Sequence, residues 1–238
     1  MLSRGGIELM TVNEVKEKLA KKAVVFHTGG IRPTKALLES WIGCVCWRLP
    51  GEMIPVDKEG KKMQPIATFF LKDLPYVPEC LQGIELITVF ISENLCGHDD
   101  IAEEYVHIRT YKTLEGLEQC DENASIMRAF PLVPKLVEDD YPIWDDAGFP
   151  GELFEEILRL EEDEDIEYYE DIVEENYYIH KVGGYPAFIQ AGDFFEGYEF
   201  AFQISSDEKA QFNFVDSGQI YFFYNRETQD WKVQYDFY

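Results

Sequence analysis

The sequence predicts an α+β fold that is β-rich, with mostly antiparallel sheets from an internally duplicated module and a few flanking helices. Three observations carry this. Hydrophobic residues make up 46% and aromatic residues 15% of 238 positions, ample material for closely packed sheet faces. Apolar runs of strand length alternate with Gly and Pro punctuation. A three-element order also recurs: His27-Thr28-Gly29-Gly30-Ile31-Arg32-Pro33 is echoed by His180-Lys181-Val182-Gly183-Gly184-Tyr185-Pro186, residues 65–71 by 199–204, and 83–90 by 218–224. The expected organisation is an N-terminal helix (1–23), a first repeat (24–100), a connecting segment with an acidic helical region (101–178) and a second repeat (179–238), all in one compact unit.

Along the chain, Thr11-Val12-Asn13-Glu14 reads as a capping box opening a helix near 12–22 with Val12, Val15 and Leu19 on its apolar face. Met10, just before it, is an alternative start. Residues 23–26 suit a buried strand, ended by Gly29 and Gly30 ahead of Pro33. Residues 42–49 read as one strand, Pro50-Gly51 as a turn and 58–61 as a charged loop. Strands over 65–71 and 84–91 follow, separated by the proline-punctuated 74–78. Residues 105–111 alternate like a half-exposed strand, and 130–142 read as an extended, proline-rich connection. Over 154–176 an amphipathic helix meets the like-charge block Glu161-Glu162-Asp163-Glu164-Asp165, which predicts a helix, an acidic break and a short second helix.

Formal charge is −25 and is unevenly placed: residues 1–100 hold 12 Lys+Arg against 13 Asp+Glu, so the remainder holds 9 against 33. Such a surface repels phosphate, which argues against nucleic-acid and anionic-membrane partners and for attraction to a basic protein. No run of about 18 apolar residues and no signal-peptide core is present, so a cytoplasmic location is expected. The five cysteines (Cys44, Cys46, Cys80, Cys96, Cys120) form an odd set without a CxxC pair, which fits reduced thiols. Cys44 and Cys46 on one strand would share a face, but only His27 stands near as a further ligand, so no metal is expected.

The His-x-x-Gly-Gly-Tyr-Pro context at 180–186, followed by Gly218-Gln219-Ile220-Tyr221-Phe222-Phe223, resembles the YwqG-like family of uncharacterised bacterial proteins. Residues 60–75, an apolar strand ending in Leu74-Pro75, and the strand at 83–90 are similar to that family's pattern, and the likeness spans roughly 24–238. Two departures stand out. Thr34 to Ser40 looks helical, with Trp41 followed by Ile42, where the family pattern carries a proline-rich Trp-Pro segment. Phe69-Phe70 replaces a usual glutamine that Gln203 retains. The resemblance implies an α+β architecture with much antiparallel sheet and no established activity. Relatives near bacterial toxin systems imply an immunity or antitoxin role by association alone.

Two functional readings follow. The first is a non-enzymatic protein-interaction module, of immunity or antitoxin type, that neutralises a basic partner such as a toxin through an acidic, aromatic-rich face including Glu161, Glu162, Asp163, Glu164 and Asp165. The alternative is a small-ligand or enzymatic site between the two repeats, using His27, His180, Gly29, Gly30, Gly183, Gly184 and Gln203. No Gly-x-Ser-x-Gly, His-Glu-x-x-His or Ser-x-x-Lys motif is present, and the glycine doublets lack the P-loop lysine and hydroxyl. Cys80 or Cys96 would need His98 or His107 as a base. Acidic clusters such as Glu138-Asp139-Asp140 lack the calcium-loop pattern and read as solvated charge. No cofactor is expected.

Overall fold

In the computed structural model the described residues are 10–34, 36–96, 102–144, 149–164 and 166–238. The first element, α1 (Val12–Leu19), is opened by the expected capping box: the Thr11 hydroxyl accepts from the Glu14 amide while the Glu14 carboxylate accepts from the Thr11 amide at 2.8 Å. The helix ends at Leu19, earlier than expected, and Ala20 turns extended. Lys21 and Lys22 instead begin β1 (Lys21–Thr28), where Lys21 stands opposite Asp140.

After β1 come β2 (Trp41–Ile42) and β3 (Cys44–Arg48), so the single strand expected over 42–49 is split. Gly43 causes the split. Its φ is +76°, and a Cβ there would lie 2.7 Å from the Arg128 carbonyl oxygen, so only glycine lets the chain leave one sheet and enter another. Next are β4 (Gln64–Phe70), β5 (Leu86–Ile91), β6 (Val106–Tyr111) and β7 (Glu118–Asn123). Then follow β8 (Phe130–Asp140), α2 (Gly151–Glu164) and a π-helical turn at Tyr168–Ile172. The chain closes with β9 (Lys181–Gly183), β10 (Glu199–Ser205), β11 (Gln219–Asn225) and β12 (Asp230–Asp236).

The segment expected to be a connection over 130–142 is therefore mostly a strand, and a central one. β8 tolerates Pro134 because of the direction its backbone faces. Opposite it, the Phe26 amide donates away from β8, to the His180 carbonyl at 2.9 Å, so the Phe26–Pro134 pair exchanges no ladder bonds. The missing proline N–H faces the side where β2, only two residues long, has already ended.

Among the described residues one ten-stranded sheet runs in the order β12-β11-β10-β9-β1-β8-β2-β4-β5-β6, every pairing antiparallel, beside a two-stranded β3–β7 ribbon. Outward from the β1–β8 pair, each wing has a short strand, two long strands and an edge strand. Corresponding long strands carry bulges at Pro65/Ala67 and Phe200/Phe202.

The sheet curls strongly. At about 4.8 Å per strand, a flat sheet would hold β4 and β10, five places apart in the order, about 24 Å apart. Yet the Phe69 and Phe202 ring centroids lie 5.4 Å apart, and Phe69 also meets Phe26 at 5.4 Å. The two wings thus close over one apolar core that includes Val24, Ile42, Ile87, Val182, Ile204 and Phe222. The opposite faces have different covers. The ribbon packs Val45 against Phe90, and Cys44 and Cys46, sharing a face as expected, against Trp41. The segment between β9 and β10 packs Phe188, Phe195 and Tyr198 against Tyr221 and Phe223. A second apolar cluster joins α1, α2 and the π-helical turn through Val15, Leu19, Ile157, Leu160 and Ile172. Among the described residues no helix is long and apolar enough to cross a membrane.

Phe69→Ala should destabilise the protein by about 3–5 kcal/mol. In a denaturant double-mutant cycle with Phe202→Ala the pair should couple by about 0.5–1.5 kcal/mol. Strict additivity would mean that the wings do not meet in solution.

Candidate recognition pocket

The carboxylate of Asp140, at the end of β8, and the ammonium of Lys181, at the start of β9, are each 1% exposed and meet at 3.0 and 2.9 Å. Asp140 also accepts the Tyr185 amide at 2.7 Å, so three donor contacts stand in for its lost water. Burial pushes the Asp140 carboxyl up and the Lys181 ammonium down, each against the pull of its partner.

This pair dictates the turn that follows β9. Gly184, at φ +74°, lies so close that a Cβ would meet the Asp140 Oδ2 at 2.0 Å. Gly183 has the same φ, and a Cβ on it would meet the Tyr76 ring at 2.9 Å. Two glycines in the left-handed region let the chain reverse against a carboxylate on one side and an aromatic ring on the other. The turn delivers Tyr185, whose hydroxyl donates to the Leu19 carbonyl at 2.8 Å and whose ring lies 4.0 Å beneath the Lys21 ammonium.

Around this turn opens a pocket of about 480 Å³. Lys21, Tyr76 and Glu79 reach it from the earlier part of the chain, and Gly184 to Pro186, Phe194, Tyr198, Glu199 and Phe200 from the later part. Tyr198 is held from behind by Asp230, which accepts its hydroxyl at 2.8 Å. Desolvation draws the Lys21 pKa down, opposed by Asp140 and Glu199, and burial raises that of Tyr76. The pocket therefore combines ring-bearing walls, two carboxylates and one ammonium already placed on a ring.

Of the residues expected to share a site between repeats, only Gly184 lines this pocket. His27 is exposed on β1, whereas His180 is buried. The two histidines thus do not occupy matching settings. His180 Nδ1 accepts the Ser205 amide of β10 at 3.1 Å, and Nε2 lies 3.4 Å from the Asp207 carboxylate. Gly43, which follows β2, and Gly183, the last residue of β9, both take positive φ, +76° and +74°. Gly29 instead packs under Lys209, whose ammonium donates to the Thr28 carbonyl at 2.8 Å, and Gly30 faces open space. Gln203 is consumed by a buried network, donating to the Tyr177 and Ile179 carbonyls and to Gln219, and accepting the Ala187 amide at 3.0 Å.

The acidic block lies elsewhere. Glu161, Glu162 and Asp163 are in the last turn of α2, with Asp163 3.5 Å from Arg159, while Asp165 and the Glu164 side chain lie outside the described residues. Among the thiols, burial pushes Cys80 up to about 12 and Cys96 and Cys120 up to about 11, which disfavours the thiolate a nucleophile needs. His98 lies outside the described residues, and His107 packs beside Phe90 on β6. Among the described residues no group of three or more His, Cys, Asp or Glu side chains is arranged to hold a metal ion.

A family model described as a domain of unknown function, DUF1963, matches residues 42–232, and the chain belongs to that family. The match begins at β2, so Lys21 lies outside it. No curated protein matches the chain.

Two stability predictions follow from this geometry. Gly184→Ala drives a methyl group into the Asp140 carboxylate and should cost about 3–5 kcal/mol, the scale of breaking a buried pair, in urea unfolding. Desolvation works against the Asp207 carboxylate, but the nearby His180 ring and the bonds from Thr28 and the Ala210 amide outweigh it and hold its pKa well below the usual carboxylate range. A lowered folded pKa stabilises above the unfolded value of about 4 and is lost as pH falls toward the folded one. Asp207→Asn should therefore cost about 2–3 kcal/mol at neutral pH and progressively less below about pH 4. A cost independent of pH would contradict this.

Proposed function

We propose that the protein is a non-enzymatic recognition module that binds a basic protein and seats one of its cationic side chains in the pocket at Gly184. The observation that carries this reading is the pairing of Glu79 and Glu199 with Tyr76, Phe194, Tyr198 and Phe200 in one cavity, beside a tyrosine ring already carrying an ammonium at 4.0 Å. Aromatic faces and carboxylates together attract a cation more strongly than either alone when water is partly excluded. The excess of 33 acidic over 9 basic residues beyond position 100 supplies long-range attraction toward such a partner.

A finer reading accompanies it. The motif order supports kinship with YwqG-like proteins, and an acidic cytoplasmic protein that occupies a basic toxin's surface, an immunity role, suits this chemistry. The chain is then a duplicated unit whose copies have exchanged their first strands, β1 lying beside β9 and β8 beside β2. In this register Gly43 answers Gly183, Thr68 answers Gln203 and Thr88 answers Tyr221. A small ligand is the second reading, favoured by the pocket's position between Tyr76–Glu79 and the segment from Gly184 to Phe200.

The test is calorimetric titration with a lysine- and arginine-bearing peptide of about 12 residues at about 20 and about 300 mM salt. Binding should weaken at least about tenfold at the higher salt and be lost in Glu199→Gln. Absence of binding at low salt, or equal binding by Glu199→Gln, would overturn the reading. A melting shift with free agmatine but not with the peptide would favour the small-ligand alternative.

A further inference from the structure

We infer that the pocket selects arginine over lysine, so that the partner's anchor is a guanidinium; this rests on the cation-seating reading above. The selectivity originates in Lys21. Its ammonium stands 4.0 Å over the Tyr185 ring, so the place in the pocket best suited to a compact point charge is filled by the protein's own side chain. Tyr185 cannot turn aside to offer a second face, because its hydroxyl is fixed on the Leu19 carbonyl and its amide on Asp140. Lys21 is itself held at the start of β1, opposite Asp140.

An incoming cation must therefore use what remains: the ring-bearing walls of Tyr76, Phe194, Tyr198 and Phe200, and the carboxylates of Glu79 and Glu199. These carboxylates come from separate elements, Glu79 from the 3-10 turn Glu79–Leu81 and Glu199 from the first position of β10. Two acceptors on different walls suit a fork with five N–H donors better than a single ammonium. A planar, weakly hydrated guanidinium also stacks on rings and loses less hydration on entering a pocket that already contains a positive charge. A second ammonium would enter as another strongly hydrated point charge beside Lys21.

The experiment uses the full chain and three peptides identical except for a central arginine, lysine or citrulline, measured by calorimetry at low salt. The arginine peptide should bind at least about tenfold more tightly than the lysine peptide, a difference of about 1.4 kcal/mol. Citrulline, which keeps the shape but not the charge, should bind weakest. Lys21→Met should bring the lysine peptide closer to the arginine one, and Glu199→Gln, checked as folded by its melting curve, should bind none of the three. Equal binding of the arginine and lysine peptides, or tighter binding of lysine, would overturn the inference while leaving the cation-seating reading to its own test; citrulline matching arginine would overturn both. A gap unchanged in Lys21→Met would overturn it as well. No binding by any of the three would defeat both.

Discussion

Burying Asp140 against Lys181 is the constraint from which the local architecture of the pocket follows. Removing two charges from water costs several kcal/mol per ion and is offset only when geometry is good and the remaining lone pairs are used. Here two short contacts from Lys181 and the Tyr185 amide meet that condition, at the junction of β8 with the turn leaving β9. Because the carboxylate is packed against the chain, position 184 has no room for a side chain, and the reversal there sets where Tyr185 emerges. Tyr185 in turn ties the turn back to α1 through Leu19 and offers its ring to Lys21.

Beyond the turn, the segment covering the second wing is held by polar contacts as well as by the aromatic packing of Phe188 and Phe195 on Tyr221 and Phe223. Gln219 and Tyr221 both donate to the Ala187 carbonyl, at 2.7 and 2.9 Å, and Asp236 accepts the Ile189 and Gln190 amides. Such a network, buried and saturated, fixes a loop more specifically than hydrophobic contact does. The loop then carries Phe194 and leads to Tyr198 and Glu199, so a pocket lined largely by irregular chain rests on the sheet. Over the other wing lies the β3–β7 ribbon, which packs Val45 against Phe90.

Much of the sheet was legible in the sequence. Strands β4, β5, β10 and β11 announced themselves as aromatic or β-branched runs between Gly and Pro, because they are buried on both faces. β7 did not: Glu118-Gln119-Cys120-Asp121-Glu122-Asn123 carries no apolar pattern and is a strand because β3 needs a partner. β8 was obscured by its prolines, of which Pro134 sits where no ladder donor is required. The pocket was less legible. Gly184 was visible as half of a glycine doublet, but matching that doublet to Gly29-Gly30 pointed to His27 and Gln203 rather than to Asp140 and Lys21. A lysine between Ile179 and Gly183, in a run of strand character, was the available signal that an opposing carboxylate must lie across the sheet. Nothing local in Glu138-Asp139-Asp140 distinguishes the buried acid from its exposed neighbours, since that distinction depends on which face of β8 turns inward.

The most direct test is a double-mutant cycle on the pair, comparing Asp140→Leu, Lys181→Met and the double variant by urea unfolding. Each single variant leaves an uncompensated buried charge and should lose about 3–5 kcal/mol, whereas the double variant should recover most of that loss. Single losses below about 1 kcal/mol, or losses that simply add in the double variant, would show that this contact does not organise the turn and would remove the basis for the pocket built on it.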